Sequence, residues 1–222
     1  MNVLIVGASR GLGLEFVRQY RAAGAVVTAT ARSASALAVL RALGATGIEV
    51  DVADAGSIER LASQMEASAS FDVAVICAGV YGPQGGAQDA PSDAEFDAVM
   101  HTNVLGPMRV IRQLGRRLAP GAKLAVISSR MGAIEAREGG SASLYRASKA
   151  AVNSVLKNAS LELGAKAVCV SLHPGWVRTD MGGPGADLTP EQSVAGMRRV
   201  IATLTPGDNG RFFNHDASVI AW

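Results

Sequence analysis

The most informative segment of the chain is Val3-Leu-Ile-Val-Gly7-Ala-Ser-Arg-Gly11-Leu-Gly13. Its apolar, β-branched start predicts a buried strand, and the glycines that follow open a helical pattern. Glycines allow a tight turn and a close approach of the backbone, and free N–H groups at a helix N-terminus attract phosphate. A glycine-rich turn without a ligand is the alternative, but the place of this loop at the start of a βα unit favours phosphate binding.

Short apolar runs alternate with longer helical patterns along the whole chain. The predicted strands are 3–6, 25–30, 46–52, 72–77, 122–128, 167–172 and 211–213, and the predicted helices are 11–23, 34–43, 57–67, 93–118, one that contains Tyr145, and 190–204. The runs are apolar along their length, as strands buried on both faces of a parallel sheet must be. This alternation predicts an α/β fold with a single doubly wound parallel sheet of about seven strands and helices on both faces, the Rossmann fold. No break in composition marks a second domain, so we predict one domain over residues 1–222.

The composition narrows the class of protein. The 222 residues are 49% hydrophobic and 18% charged, with a formal net charge of +2. So mild a charge, without a basic run, argues against a nucleic-acid partner. The first strand begins too early for a signal peptide and no apolar run is long enough to span a membrane, so we expect a cytoplasmic protein. The histidines are scattered, so we predict no metal site. Cys77 and Cys169 lie in apolar runs and are expected to be core residues, with a disulfide between them as the less favoured alternative.

Tyr145 and Lys149 form the first candidate catalytic pair. On a helix, residues four apart share one face. An ammonium beside a phenol stabilises the phenolate, so we expect Lys149 to lower the pKa of Tyr145 towards neutrality. A phenol tuned in this way can exchange a proton with an alkoxide or an alcohol. The same pair also arises by chance in helices, where the tyrosine packs on the lysine stem.

The glycine spacing and this pair together resemble the short-chain dehydrogenase/reductase family. The loop reads Gly-x-x-x-Gly-x-Gly and not the more common Gly-x-Gly-x-x-Gly, and the resemblance runs along essentially the whole chain. It implies a nicotinamide-dependent oxidoreductase in which Tyr145 exchanges the proton and Lys149 also bonds the nicotinamide ribose. Ser129 matches the family's catalytic serine, whose hydroxyl donates to the substrate oxygen. Tandem serines at a strand end are otherwise ordinary turn residues.

Asn103 matches the fourth member of the family's catalytic set. Pro107 lies four residues later and has no N–H, so the Asn103 carbonyl loses its usual helical partner. A carbonyl freed in this way can bind a water that connects Lys149 to solvent as a proton relay. A proline kink beside a surface asparagine is the alternative interpretation.

Two arginines indicate which dinucleotide binds. An NAD-specific member places an acid after the second strand, whereas this chain has Arg32 there. Arg32 is suited to a 2′-phosphate, and Arg10 in the glycine loop can approach the same group. We therefore predict NADP(H) as the cofactor. By resemblance, the residues that bind it are Gly7, Ser9, Arg10, Gly11, Leu12, Gly13, Arg32, Asp51, Val52, Ala78, Gly79, Asn103, Tyr145, Lys149, Pro174, Gly175, Val177 and Thr179.

The resemblance also assigns parts of the cofactor to these residues. Asp51-Val52 hold the adenine ring, and the Val177 backbone and Thr179 hydroxyl hold the carboxamide. The chain departs from the family at Ile76-Cys77, where two asparagines are usual. We interpret this as altered strand–strand stabilisation and not as loss of cofactor binding.

The substrate end of the site is predicted to be short and apolar. The chain passes quickly from Met181 through several glycines to a helix near Pro190. This suggests an open site, or one completed by a partner subunit in a dimer or tetramer. The lining favours an apolar carbonyl compound, although each residue can equally be ordinary packing. The candidates are Tyr81, Met131, Ile134, Trp176 and Met181.

The leading hypothesis is an NADPH-dependent reductase of ketones or aldehydes, with Tyr145 as the general acid. Within the family, the chain looks most like the small branch of sniffer-type carbonyl reductases and C-factor-like proteins. A dinucleotide-binding regulatory protein with incidental redox activity is the first alternative, since fold does not fix function. An NAD-linked alcohol dehydrogenase is the second, and Arg32 argues against it.

Overall fold

Seven parallel strands form one sheet at the centre of the molecule, in the order β3-β2-β1-β4-β5-β6-β7. The computed structural model describes residues 1–65 and 70–222. The strands are β1 (Asn2–Val6), β2 (Val26–Ala31), β3 (Thr46–Glu49), β4 (Phe71–Ile76), β5 (Leu118–Ile127), β6 (Ala167–His173) and β7 (Phe212–Asn214). The helices are α1 (Gly11–Ala22), α2 (Ala34–Ala42), α3 (Ala55–Gln64), α4 (Asp93–Met100), α5 (Gly106–Leu114), α6 (Ser143–Leu163) and α7 (Pro190–Thr203). The predicted doubly wound α/β sheet is therefore confirmed.

Helices cover both faces of the sheet, because successive strand residues point to opposite sides. Val3 and Ile5 face a core formed with α1, α2 and α7. Leu4 and Val6 face a second core formed with α3, α5 and α6. This two-sided burial is the physical reason that the strands are apolar throughout.

The order of the strands reverses between β1 and β4, which opens a crevice at the carboxyl ends of the strands. The loops after β1, β4, β5 and β6 all meet at this edge. These loops carry most of the candidate residues, so the topology alone brings together groups that are far apart in the chain.

The predicted continuous helix over 93–118 is wrong. It is interrupted by a π-helical turn, His101–Leu105, and α5 ends at Leu114. Within this turn the Gly106 N–H donates to the His101 carbonyl, five residues back. Pro107 cannot donate the next hydrogen bond of an α-helix, and the wider π turn accommodates the mismatch. Leu118 already pairs with β4 and so belongs to β5.

Smaller differences concern the third βα unit. The predicted strand over 46–52 ends at Glu49, and the Asp51 N–H bonds the Ser57 hydroxyl at 2.9 Å. The helix expected from Ser57 begins at Ala55, because the Asp54 side chain caps it. Its predicted end at Ala67 lies outside the described residues.

Candidate active site

The first turns of α6 bring three of the predicted catalytic residues together. Tyr145 and Lys149 point into the protein from one face of this helix, with only 7% and 5% of their surfaces exposed. The Lys149 ammonium donates to the Ile127 carbonyl at 3.0 Å and lies 5.6 Å from the centre of the Tyr145 ring. The Ser129 hydroxyl lies near enough to the Tyr145 phenol to lower its pKa. A phenol, a hydroxyl and an amine therefore converge at the carboxyl end of β5.

The pKa of Tyr145 is shifted in the direction opposite to that expected from the sequence. Burial raises it to about 12, a hydrogen bond from Ser129 lowers it, and Tyr81 raises it. Burial also lowers the pKa of Lys149 to about 8. The expectation that Lys149 pulls the Tyr145 pKa towards neutrality is thus wrong for this structure, because loss of water disfavours the charged form of each group.

Asn103 is buried within the π-helical turn, and its side chain acts as a clamp. Its Oδ1 accepts from the Val80 N–H at 2.8 Å, and its Nδ2 donates to the Val80 carbonyl at 2.8 Å. Nδ2 also donates to the Ser148 hydroxyl on α6 at 2.9 Å, and that hydroxyl donates to the Tyr145 carbonyl. Asn103 thus ties the loop after β4 to α6. Sequence reasoning missed Ser148, and the water relay through the Asn103 carbonyl stays a prediction.

A cavity of about 450 Å³ runs from the glycine loop to Tyr145 and Lys149. Of the predicted cofactor residues, Asn103, Gly175 and Val177 do not line it. Those that do are Gly7, Ser9, Arg10, Gly11, Leu12, Gly13, Arg32, Asp51, Val52, Ala78, Gly79, Tyr145, Lys149, Pro174 and Thr179. The cavity wall also includes Cys77, Asp180 and Glu191, which the sequence did not single out as cofactor residues.

The glycine loop has the shape that a dinucleotide pyrophosphate requires. Gly7 has a φ of +86°, and a Cβ there would lie 2.7 Å from the backbone of Ala78. A Cβ on Gly13 would lie 2.1 Å from the Gly7 carbonyl oxygen. The side chain of Arg10, at the N-cap of α1, makes no capping bond, so the N–H groups of the first turn stay available. These residues fit the predicted group.

The two arginines predicted to select the cofactor are in different situations. Arg32 follows β2 and lines the cavity. Within residues 1–65 and 70–222, no hydrogen bond or ion pair engages its guanidinium. Arg10 instead pairs with Asp180, and both side chains are 74% exposed. Arg32 is therefore available to an anionic ligand, whereas Arg10 is already partnered.

The segment after β6 is braced against itself. Gly175 has a φ of +80°, and a Cβ there would meet Leu188 at 2.5 Å. Val177 pairs with Leu188, and the Thr179 hydroxyl accepts from the Gly182 N–H at 3.2 Å. The Trp176 indole donates to the Gly182 carbonyl at 2.8 Å. The short connection from Met181 to Pro190 is thus present as predicted, with α7 starting at Pro190.

The predicted substrate residues divide into two groups. The Tyr81 ring stacks on Tyr145, and its hydroxyl contacts the Met131 sulfur at 3.9 Å. Met181 lines the cavity. Ile134 and Trp176 are exposed and lie outside the cavity wall. The structure therefore places Tyr81 against the Tyr145 ring with Met131 beside Tyr81, but of the five predicted residues only Met181 lines the cavity.

In residues 1–65 and 70–222, no helix is long and apolar enough to cross a membrane, and no group of side chains is arranged to hold a metal ion. Cys77 and Cys169 are both free thiols.

Comparison with protein families agrees with the family expected from the fold and the motifs. The model of the short chain dehydrogenase family matches residues 1–187. The chain belongs to the short-chain dehydrogenase family. The resemblance inferred from the glycine loop and the Tyr–Lys pair is thus confirmed, and the protein is an oxidoreductase of this family.

Two relatives of this short-chain dehydrogenase are similar to it in sequence. C-signal of Myxococcus xanthus is 43% identical over 132 residues, which cover 58% of this chain and 80% of that protein. The 1-hydroxy-2-glutathionyl-2-methyl-3-butene dehydrogenase of Rhodococcus sp. (strain AD45) is 34% identical over 234 residues, which cover 100% of this chain and 99% of that protein.

Two solved structures of carbonyl reductases superpose on the whole chain. The carbonyl reductase Sniffer of D. melanogaster has a TM-score of 0.91 and 27% identity, covering 100% of this chain and 99% of its own. An NADPH-bound carbonyl reductase from chicken fatty liver has a TM-score of 0.89 and 29% identity, covering 100% of this chain and 98% of its own.

Proposed function

We propose that this protein reduces a ketone or aldehyde with NADPH and that Tyr145 delivers the proton. The observation that carries this proposal is a single cavity with two chemically distinct ends. One end has a glycine loop and Arg32, whose guanidinium has no partner among the described residues, and the other has the buried Tyr145 beside Lys149. The carbonyl reductases of similar fold support the choice of reaction.

The residues at the first end would hold the dinucleotide. The amides of the glycine loop at the start of α1 suit the pyrophosphate, and Arg32 suits the 2′-phosphate. In this proposal Asp51 would bind the adenine ring, and Thr179 would bind the carboxamide. When bound, NADPH supplies the hydride.

The residues at the second end handle the proton. Burial keeps the pKa of Tyr145 at about 12, so the phenol is protonated at neutral pH. It can donate to the carbonyl oxygen as that oxygen gains negative charge, and Ser129 can bond the same oxygen. Lys149, with a pKa of about 8, gains and loses a proton near neutral pH and can restore the one that Tyr145 gives up.

The test is a measurement of NADPH absorbance against a broad panel of ketones and aldehydes, favouring apolar ones. A Tyr145→Phe variant should bind NADPH normally and lose turnover by at least about a hundredfold. Unchanged turnover in this variant would remove Tyr145 from the proposed role.

A regulatory function is the second candidate, and one observation favours it. C-signal is more similar in sequence to this chain than the Rhodococcus dehydrogenase is, although over a shorter segment. Tight NADPH binding without oxidation by any carbonyl in the panel would support a regulator. Turnover that depends on Tyr145 would support the reductase.

A further inference from the structure

The ring of Tyr81 lies directly on the ring of the proposed acid. The centres of the Tyr81 and Tyr145 rings are 4.6 Å apart, and their planes differ by 28°. Such an offset stack is a favourable aromatic geometry that also restricts how both rings move. Tyr81 comes from the loop after β4 and Tyr145 from α6, so the contact joins two separate parts of the fold.

Tyr81 is itself held in place from both sides along the chain. On one side, the Asn103 amide grips the Val80 N–H and carbonyl, each at 2.8 Å. On the other side, Gly82 has a φ of +74°, and a Cβ there would lie 2.4 Å from the Val99 side chain. The Tyr81 hydroxyl contacts the Met131 sulfur at 3.9 Å. The backbone around Tyr81 is thus fixed before any substrate arrives.

We propose that Tyr81 is a positioning residue, whose ring fixes the orientation of the Tyr145 phenol for proton transfer. The inference rests on the proposed reductase function. The Tyr145 side chain has two rotatable bonds, and proton transfer requires its oxygen to stay within hydrogen-bond reach of the substrate oxygen. The Tyr81 ring removes part of this freedom. Asn103 then acts on the same phenol at a distance, through Val80 and Tyr81.

The kinetic test compares Tyr81→Leu with Tyr81→Phe. Leucine removes the ring, so kcat should fall about three- to tenfold, as expected for the loss of an aromatic pair. The substrate KM and the NADPH Kd should change less than about twofold, because Tyr81 does not line the cavity. Phenylalanine keeps the ring and should restore kcat. A rise in KM alone, or an equal loss of kcat in both variants, would overturn the proposal.

A second test does not need turnover. The chain has three tyrosines, so ring signals of tyrosine-labelled protein can be assigned by NMR with Tyr145→Phe as the reference. The Tyr145 ring protons should be shifted upfield by Tyr81 in the wild type and in Tyr81→Phe, and should return downfield in Tyr81→Leu. An unmoved signal in Tyr81→Leu would refute the positioning role. If the wild type reduces no carbonyl but the signal moves as expected, the proposed reaction fails and the Tyr81–Tyr145 coupling stands.

Discussion

The guanidinium of Arg10 bonds the carboxylate of Asp180 at the edge of the cavity lined by the glycine loop. Arg10 belongs to the glycine loop after β1, and Asp180 to the braced segment after β6. The pair therefore links the glycine loop to the segment that follows β6. It also gives Arg10 a partner that competes with the 2′-phosphate for which the sequence proposed this residue.

Replacing Asp180 by asparagine should strengthen NADPH binding. Exposed ion pairs contribute about 0.2–1 kcal/mol, so freeing Arg10 should lower the NADPH Kd by up to about fivefold. The gain should vanish in an Arg10→Ala background and at high salt, because it requires the Arg10 charge. Fluorescence titration measures each Kd.

Asp187 provides the matched control for this experiment. It lies on the same segment, and its main-chain carbonyl is the group that contacts Arg178. Asp187→Asn makes the same change in charge and should leave the NADPH Kd unchanged. An equal gain in both variants would mean that total charge, and not the Arg10–Asp180 pair, controls binding.

Replacing Arg32 by alanine should weaken NADPH and spare NADH. A hydrogen bond to a charged group contributes about 1.5–3 kcal/mol, so the NADPH Kd should rise about ten- to a hundredfold. Arg41→Ala, an exposed change of the same kind on α2, should have no effect. If Arg32→Ala weakens both nucleotides equally, Arg32 does not contact the 2′-phosphate.

Replacing Lys149 by methionine should stabilise the cofactor-free protein while it abolishes turnover. Burial lowers the pKa of Lys149 from 10.5 to about 8, with Cys77 opposing the shift. Below pH 8 the amine is charged in both states, so the folded state bears the cost of a buried charge. This cost disappears as pH rises from about 8 to 10.5, because only the unfolded state then binds the proton.

Urea denaturation should therefore show a pH-dependent gain for Lys149→Met. We expect on the order of 1–3 kcal/mol at pH near 7 and little at pH near 10. Lys157→Met, an exposed change on the same helix, should give no such pattern. A gain of equal size at both pH values would show that packing, and not the buried charge, is responsible.

His173 should make the protein sensitive to acid. Burial lowers its pKa from 6.5 to about 4; Arg130 and His215 add to this effect and Asp216 opposes it. The unfolded chain binds the proton more readily, so this stability is complete above about pH 6.5 and is lost as pH falls towards 4. Thermal unfolding of His173→Leu should depend less on pH over this range. His101→Gln, at an exposed position, should behave as the wild type.

The sequence predicted those features that follow from local pattern. Continuous apolar runs require burial on both faces, so the parallel sheet followed from Val3–Val6 and its counterparts. The close approach of Gly13 to the Gly7 carbonyl is possible only without a side chain, so the spacing of the glycines also predicted the loop. Tyr145 and Lys149 share a face because helical geometry places residues four apart together.

Other features depend on contacts between distant segments. The direction of the Tyr145 pKa shift depends on how deeply the fold buries the phenol. The spacing of Tyr145 and Lys149 in the sequence does not reveal this depth. Asp180 meets Arg10, and Tyr81 meets Tyr145, only after the loops of β1, β4 and β6 converge. Ser148 looked like an ordinary helix residue until the structure placed it against Asn103.

Asn103 lies in the π-helical turn His101–Leu105. Whether its side chain reaches Val80 therefore depends on the number of residues in this turn as well as on the presence of an asparagine. Each residue of an α-helix advances the side-chain direction by about 100°, so a wide turn changes the phase of everything that follows it. A single-residue deletion in this turn would leave every candidate side chain in the sequence while pointing some of them elsewhere. In homologues, a gap at this position would therefore separate chains that keep the amide clamp on Val80 from chains that only keep an asparagine.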